Sequence, residues 1–450
     1  MNCLSKGEKM QLDKDNKNWM GKLPESWNTR KIKYVLWQRN EDNLPIKSKK
    51  ILSLTAKQGV IPYEEKVGGG NKPKQNFSAY KLAYPGDIVM NSMNILSGAV
   101  GLSKYKGCVS PVYYMLRPIS KADDVRFFYY VFANKAFQHS LLGIGNGILI
   151  KKSDKGTYNT IRMRIPIEKL KNLVVPYPSA EEQRSIADFL DKKCADIDKL
   201  STQIQKEIDT LQKYRKSVIT KTVTKGLDDT VPMKESGIEW MGKIPKVWSI
   251  VRLKFLGEAR NGLTYSPHNM SDESATLVLR SSNIKNGDIV NADNVYVDEK
   301  IPQNLILKKD DLLICSRNGS QKLIGKNALI PEEFAGSSFG AFMCIFRSKY
   351  NKYIHYVLNS RIFDFYIGSF LTSTINQLTR KNLYNLLIPF PVKENERKDI
   401  INFLDKRCNT IDKLIRDKKM QLNKIQEYKN SMIFEYVTGK KQVSVGAGEK

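Results

Sequence analysis

Two long stretches of the chain repeat apolar residues every seven positions. In the first, residues 182–225 contain neither Pro nor Gly, and charges of both signs alternate along it. Leu190, Ile197, Ile204, Leu211 and Val218 fall at intervals of seven, with Ile186, Leu200 and Tyr214 in the companion slot. The second stretch has Leu404, Ile411, Ile425 and Met432, accompanied by Ile400, Leu414 and Tyr428. Such spacing fills positions a and d of a coiled coil. Lys193, Glu207, Arg407, Lys418 and Gln421 interrupt the seam, so a short, imperfect pairing of about two to four heptads is expected. Pro176 and Pro178 stand before the first run, Pro389 and Pro391 before the second, and Gly226 and Gly439 follow them as helix C-terminal glycines do.

Ahead of each long run the period changes. β-Branched and aromatic segments bounded by Gly, Pro and Asp predict strands within residues 80–93 and 305–319, then again within 100–118 and 324–348, after a Gly-punctuated loop. Aromatic stretches with helical spacing follow, at residues 124–142 and 350–371.

The two halves are copies of one another. Trp19, Met20, Gly21, Pro24 and Trp27 recur as Trp240, Met241, Gly242, Pro245 and Trp248. Farther on, the run Phe189-Leu-Asp-Lys192 recurs as Phe403-Leu-Asp-Lys406, Cys194 as Cys408, and Ile197-Asp-Lys-Leu200 as Ile411-Asp-Lys-Leu414. Two matched segments in the same order, at offsets of 213 to 221, mark a tandem duplication. The fold class expected is α+β: two duplicated α/β domains separated by two long, antiparallel, coiled-coil-like helices. The boundaries predicted are a flexible N-terminus at 1–17, a first domain at 18–179, a long helix at 180–226, a linker at 227–239, a second domain at 240–392, a second long helix at 393–439 and a flexible tail at 440–450.

Charge adds a class of partner. The 450 residues carry 74 Lys+Arg against 46 Asp+Glu, a formal net charge of +28 that is spread over the whole length. Such an excess favours a polyanion, because each neutralised phosphate releases counterions. Lys-rich solvated faces are the plainer explanation of the same number. Six scattered cysteines without a Cys-x-x-Cys pair, and only three histidines, make a zinc site or a disulfide framework improbable. No apolar stretch approaches the roughly 20 residues of a membrane span, and the N-terminus lacks the apolar core of a signal peptide, so a cytoplasmic protein is expected.

Enzymatic motifs are missing. No Asn/Asp-Pro-Pro-Tyr/Phe segment occurs, and Pro176-Tyr-Pro178 and Pro389-Phe-Pro391 lack the preceding Asn or Asp. Gly319 to Asn327 departs from a phosphate-binding loop by one residue too many, with Asn where a magnesium-binding hydroxyl should stand. His139 and His355 lie in the aromatic helical stretches and read as core-edge residues, and no second His stands within ligand spacing of either.

Taken in order, from the Trp-x-x-x-Leu/Ile-Pro-x-x-Trp opening through a variable domain, a Pro-x-Pro exit and a Phe-Leu-Asp-Lys helix, and then all of it again, the chain resembles the specificity subunit of type I restriction-modification systems. The resemblance covers about Trp19 to Gly439. It implies two target recognition domains, each reading one half of a bipartite sequence in double-stranded DNA. It also implies that the long helices act as a ruler and dock methyltransferase (modification) subunits, in two copies, to which restriction subunits add. At 1.5 Å per residue, helices of about 44 residues would span roughly 65 Å, more than one turn of duplex DNA at about 34 Å. The resemblance implies no catalysis and no cofactor in this chain, with S-adenosylmethionine on the modification subunit and ATP and magnesium on the restriction subunit. The rival expectation is a basic scaffold, or a DNA-binding protein without sequence preference.

Reading DNA takes Lys and Arg for phosphates and Asn, Gln, Ser or Arg for base edges, on loops that a sheet supports. Three places in each half meet that description. The first loop offers Asn71, Lys72 and Lys74, against Arg280, Asn283 and Lys285. The second, after the Asp-containing strand, offers Asn91 and Asn94, against Arg317, Asn318, Gln321 and Lys322. The third, before the exit, offers Lys151, Lys152, Tyr158 and Arg162, against Gln377 and Arg380. Arg317 and Asn318 stand out because the first copy also places an amide there, Asn91.

Overall fold

A computed structural model of the chain describes residues 18–56, 58–66, 73–148, 162–370 and 376–443, with the side chains of 146–148, 162, 163 and 368–370 left aside. It divides into two compact units, residues 1–203 with 421–450, and residues 204–420. Each unit thus contains one domain, the first part of one long helix and the last part of the other.

The first unit is built on a four-stranded antiparallel sheet in the order Leu36–Arg39, Tyr113–Pro118, Ile88–Asn91, Val100–Leu102. Ile88, Val89 and Met90 are all fully buried, because the central strand is covered on both faces. Ile88, Met90 and Leu116 face the aromatic helix Val125–Ala133 and its Phe127, Phe128, Val131 and Phe132. Val89 and Met115 face a second cluster with Leu52, Leu54 and Val60. The continuous apolar run that predicted this strand follows from having no solvent face.

The second unit repeats the plan with Glu258–Asn261, Met343–Arg347, Leu312–Cys315 and Asn327–Leu329 in the same order. Ile88 lies opposite Leu116 and Leu312 opposite Phe346, so the two registers match residue for residue. Each domain is closed by pairing its opening strand with its Pro-containing exit strand: Asn28 opposite Tyr177, and Ser249 opposite Phe390.

The long helices run Ala180–Lys225 and Glu394–Val437. Ser179 and Glu182 form a reciprocal capping box at the first start: the Glu182 amide donates to Ser179 Oγ at 3.2 Å and the Ser179 amide to Glu182 Oε2 at 3.2 Å. At the second start, Arg397 instead donates to the carbonyls of Pro391 (2.6 Å) and Val392 (2.7 Å). Both helices stop at a left-handed glycine, Gly226 at φ +80° and Gly439 at φ +66°. A side chain on Gly439 would also meet the Pro24 ring at 2.5 Å.

Within each unit the helix segments are antiparallel. In the first, Asp198 pairs with Lys429 at 2.6 Å, and the rings of Phe189 and Tyr436 lie 4.4 Å apart. In the second, Glu207 meets Lys418 at 2.7 Å, Arg215 meets Asp412 at 3.0 Å, and Arg407 donates to the Tyr214 hydroxyl at 2.8 Å. Glu207, Arg407 and Lys418 therefore bond across the pair and are not mere interruptions of it.

The seam itself needs correction. Leu190, Ile204, Leu404 and Ile411 are buried, and Ile197, Leu211 and Ile425 half-buried, but the companions Leu200, Tyr214, Leu414 and Tyr428 are 44–62% exposed. Burial follows steps of four as well as seven, through Ile186, Leu190 and Cys194, through Ile204 and Ile208, and through Ile400, Leu404 and Cys408. An α-helix drifts about 20° per heptad from a strict seven-residue repeat. Helices that pack on a domain as well as on each other follow the wider 3.6-residue stripe.

Candidate nucleic-acid interface

The central strand of the second unit ends at Cys315, and the next five residues tie three loops together. The Ser316 hydroxyl donates to the Phe342 carbonyl at 3.0 Å, and the Leu378 amide donates to the Ser316 carbonyl at 2.7 Å. Arg317 and Gln377 form an isolated antiparallel bridge, while Asn376 Nδ2 donates to the Gly319 carbonyl at 3.2 Å. Asn318 reaches the first loop, with Nδ2 donating to Ser281 Oγ at 3.3 Å, and its Oδ1 accepts from the Ser320 amide at 3.0 Å. Lys326 Nζ donates to the Ser281 carbonyl at 3.3 Å. Burial is the largest influence on Lys326 and pushes its pKa below the usual lysine value.

The three candidate loops of this half therefore converge, and they leave polar side chains outward. Arg317, Lys285, Gln321, Lys322, Gln377 and Arg380 are exposed. The Arg317 guanidinium lies over the ring of Phe342, 5.3 Å from its centroid, and that ring is itself 60% exposed. An exposed Arg on an exposed aromatic presents a cation beside a flat apolar face, which suits a phosphate or a base edge flanked by a thymine methyl. Phe342 and Lys326 were missed in the sequence. The signal for Phe342 was a lone aromatic between Gly340-Ala341 and the buried strand.

Two members behave differently from expectation. Asn283 is fully buried: its Oδ1 accepts from the Arg280 amide at 2.9 Å, and its Nδ2 donates to the Ala292 carbonyl at 2.7 Å and faces Val290 and Asn294. With both ends engaged it staples its own loop and offers nothing to DNA. Arg280 is half-buried and donates through Nη2 to the Asp293 carbonyl at 2.6 Å, a bond that holds the guanidinium to its own loop.

The first unit repeats the serine-centred part of this junction. The Ser92 hydroxyl donates to the Val112 carbonyl at 2.8 Å, and the Ile165 amide donates to the Ser92 carbonyl at 2.9 Å. Ser92 thus matches Ser316, which corrects one equivalence. The amide that corresponds to Asn318 is Asn94, which is exposed, while Asn91 corresponds to buried Cys315 and accepts the Met93 amide through Oδ1 at 3.0 Å. Lys74 is exposed, and its backbone amide donates to the Tyr80 hydroxyl at 2.7 Å. Arg162 opens the strand Arg162–Arg164, which pairs with Asn146–Ile148. Asn71, Lys72, Lys151, Lys152 and Tyr158 lie outside the described residues.

Comparison with known proteins places this architecture. The family model described as "Type I restriction modification DNA specificity domain" matches twice, at residues 24–210 and 245–424. The type I restriction enzyme MjaVIII specificity subunit of Methanocaldococcus jannaschii is 28% identical over 79% of this chain and 81% of its own. The putative type I restriction enzyme MjaX specificity subunit of the same organism is 24% identical over 95% and 96%. A solved chain from work on complex assembly and conformational transition of the type I R-M system superimposes with a TM-score of 0.62 at 16% identity, covering 93% of this chain and 100% of that one. That likeness carries the fold.

Proposed function

Since the chain belongs to the type I restriction-modification DNA specificity domain family, we propose that it works as the specificity subunit of such a complex, each unit reading one half of a bipartite target in double-stranded DNA. In this reading residues 18–179 and 240–392 are the two reading domains, and residues 180–226 and 393–439 are helices that dock methyltransferase subunits, two in number, to which restriction subunits add. The chain itself catalyses nothing; it works in the cytoplasm, beside its DNA.

One observation carries the proposal. The same serine-centred junction is built twice, by the same two hydrogen bonds at Ser92 and Ser316, yet its tip is Met93-Asn94 in one copy and Arg317-Asn318 in the other. A scaffold has no use for a conserved support with a changed tip. A reader of two different half-sites needs both, because side chains at base edges specify sequence while the backbone around them only positions.

Mapping methylated adenines in a host with and without the gene tests it. The gene should add one bipartite target to the map, and exchange of residues 21–175 for the matching domain of a relative should change one half of it alone. A map without a new target, or one with both halves altered, would count against the reading. Methyl transfer by the isolated chain would count against its being non-catalytic.

A further inference from the structure

Beside the junction of the second unit lies a cavity of about 400 Å³ whose walls include six cations: Arg215, Lys216, Lys322, Lys326, Arg416 and Lys419. Two carboxylates line it as well. Asp412 holds Arg215 and Asp364 holds Lys216, which leaves the other four without an ion-pair partner on the cavity wall. Asp288 lies near enough to Arg215 and Arg416 to feel both charges. The floor is polar, made by Asn327, whose Oδ1 receives His355 Nδ1 at 2.8 Å, and by Asn359.

The duplication supplies an internal control. The ion pair Asp198–Lys429 of the first unit matches Asp412–Arg215 of the second, which puts Thr202 at the repeat position of Arg416 and Gln205, a residue that itself falls in the second unit, at the repeat position of Lys419. In the sheet, the Asn91 amide donates to the Ala99 carbonyl as the Cys315 amide donates to the Lys326 carbonyl, so Ala99 stands for Lys326. The frame is thus built equally well with Ala, Thr and Gln at these places. Three cations have been placed where the fold does not call for them, and one of them, Lys326, is half-buried with a carbonyl as its partner. A desolvated ammonium without a counter-charge costs stability, which a bound anion would offset.

We propose that this cavity seats a backbone phosphate of the bound duplex, and that it anchors DNA at the second unit by contacts that Ala99, Thr202 and Gln205, the residues at the matching repeat positions, cannot make. A nucleic-acid phosphate is favoured over a small free anion because the cavity is continuous with the reading loops. Lys322 belongs to the same loop as Arg317, and Lys326 holds Ser281, the residue that also receives Asn318. The proposal rests on the DNA-reading function above.

The experiment uses the full-length chain and a duplex carrying the mapped target, with affinity measured across a salt series. Arg416→Thr with Lys419→Gln, which gives each position the residue of its repeat partner, should weaken binding and make the slope of log affinity against log salt shallower by about one, the share of one neutralised phosphate, and Lys326→Ala should do so by no more than that. Lys322→Ala, on an exposed loop, should make it shallower in the same direction, by no more than about one, and guards against misfolding of the helix variant. The preferred bases should stay the same in all of them. Unchanged slopes in variants of a chain that binds its target would overturn the seat while sparing the reading function. Failure of the unmodified chain to prefer its target over an unrelated duplex would overturn both. Saturable binding of inorganic phosphate that is lost in the variants, with the DNA slope unchanged, would make the cavity a small-anion site and likewise overturn the proposal.

Discussion

Asp311 receives the guanidinium of Arg347 through both carboxylate oxygens, at 2.8 Å from Nε and 2.5 Å from Nη2, with its side chain 3% exposed. Asp87 stands at the same place in the first unit, fully buried, 3.1 Å from Arg39 Nε and 3.5 Å from Arg117 Nε. Each carboxylate also caps its own turn, accepting the amide of Lys308 or Tyr84 at 2.9 or 2.8 Å. The preceding residue is left-handed in both, Asp310 at φ +60° and Gly86 at φ +84°. The Asp that marks the start of the central strand is therefore a structural anchor for the junction at that strand's other end.

Removing it should be felt in stability and not in base preference. Asp311→Ala strips Arg347 of its partner and leaves the Lys308 amide without its cap. The second unit should lose about 2–3 kcal/mol, read as a lower denaturation midpoint. If Asp311→Ala left the midpoint in place, the ion pair would be ornamental.

The repeated tryptophans hold the starts of the long helices. Trp248 Nε1 donates to Glu396 Oε1 at 2.7 Å and Trp27 Nε1 to Glu182 Oε1 at 3.1 Å, both within the first helical turn. Trp248→Phe should cost about 2 kcal/mol by losing a charge-assisted bond, and the amides near Glu396 should exchange hydrogen faster. Trp27→Phe should do the same near Glu182 to a smaller degree, since that bond is longer and Glu182 is also held by Ser179.

His355 makes the second unit sensitive to acid. Asn327 Oδ1 can only accept, so His355 Nδ1 carries the proton between them. Burial, then the nearby Arg215, depresses the imidazole pKa from 6.5 to about 4. The folded state resists the proton that the unfolded chain takes up, so the stability is present above about pH 6.5 and is lost as pH falls toward 4. The loss attributable to this group is about 3 kcal/mol. His355→Gln, which cannot titrate, should flatten the fall in unfolding midpoint over that range, and a parallel curve would rule the group out.

Much of this architecture was legible because it is local or duplicated. Gly226 and Gly439 end helices because a left-handed stop favours glycine, and the central strands announced themselves by runs without a polar face. The exposure of Leu200, Tyr214, Leu414 and Tyr428 was not legible, since seven-residue spacing cannot say whether a helix meets one neighbour or two. Asn283 misled for a related reason. Its burial depends on the carbonyls of Val290 and Ala292, which a later turn folds back over it. Asn91 misled because counting along the chain cannot settle which residue of each copy occupies the junction; the paired bonds at Ser92 and Ser316 can.

The contrast between Arg317 and Asn283 gives the sharpest test of the interface. Both are polar residues on converging loops, but one is exposed over Phe342 and the other is sealed within its own loop. Arg317→Ala should leave the unfolding midpoint nearly unchanged, because an exposed side chain contributes little to the fold. In the methylation map it should relax one base position in one half-site, a discrimination of about 1–3 kcal/mol if the guanidinium meets a base edge. The other half-site, read by the first unit, should be untouched. Asn283→Ala should do the reverse, lowering stability by about 1–3 kcal/mol through lost buried bonds, read as a lower midpoint, and weakening methylation at the whole target without relaxing any one position. If Arg317→Ala instead weakened all positions equally and reduced the salt dependence by about one, its partner would be a phosphate. Unaltered specificity and unaltered salt dependence together would place Arg317 outside the DNA contact.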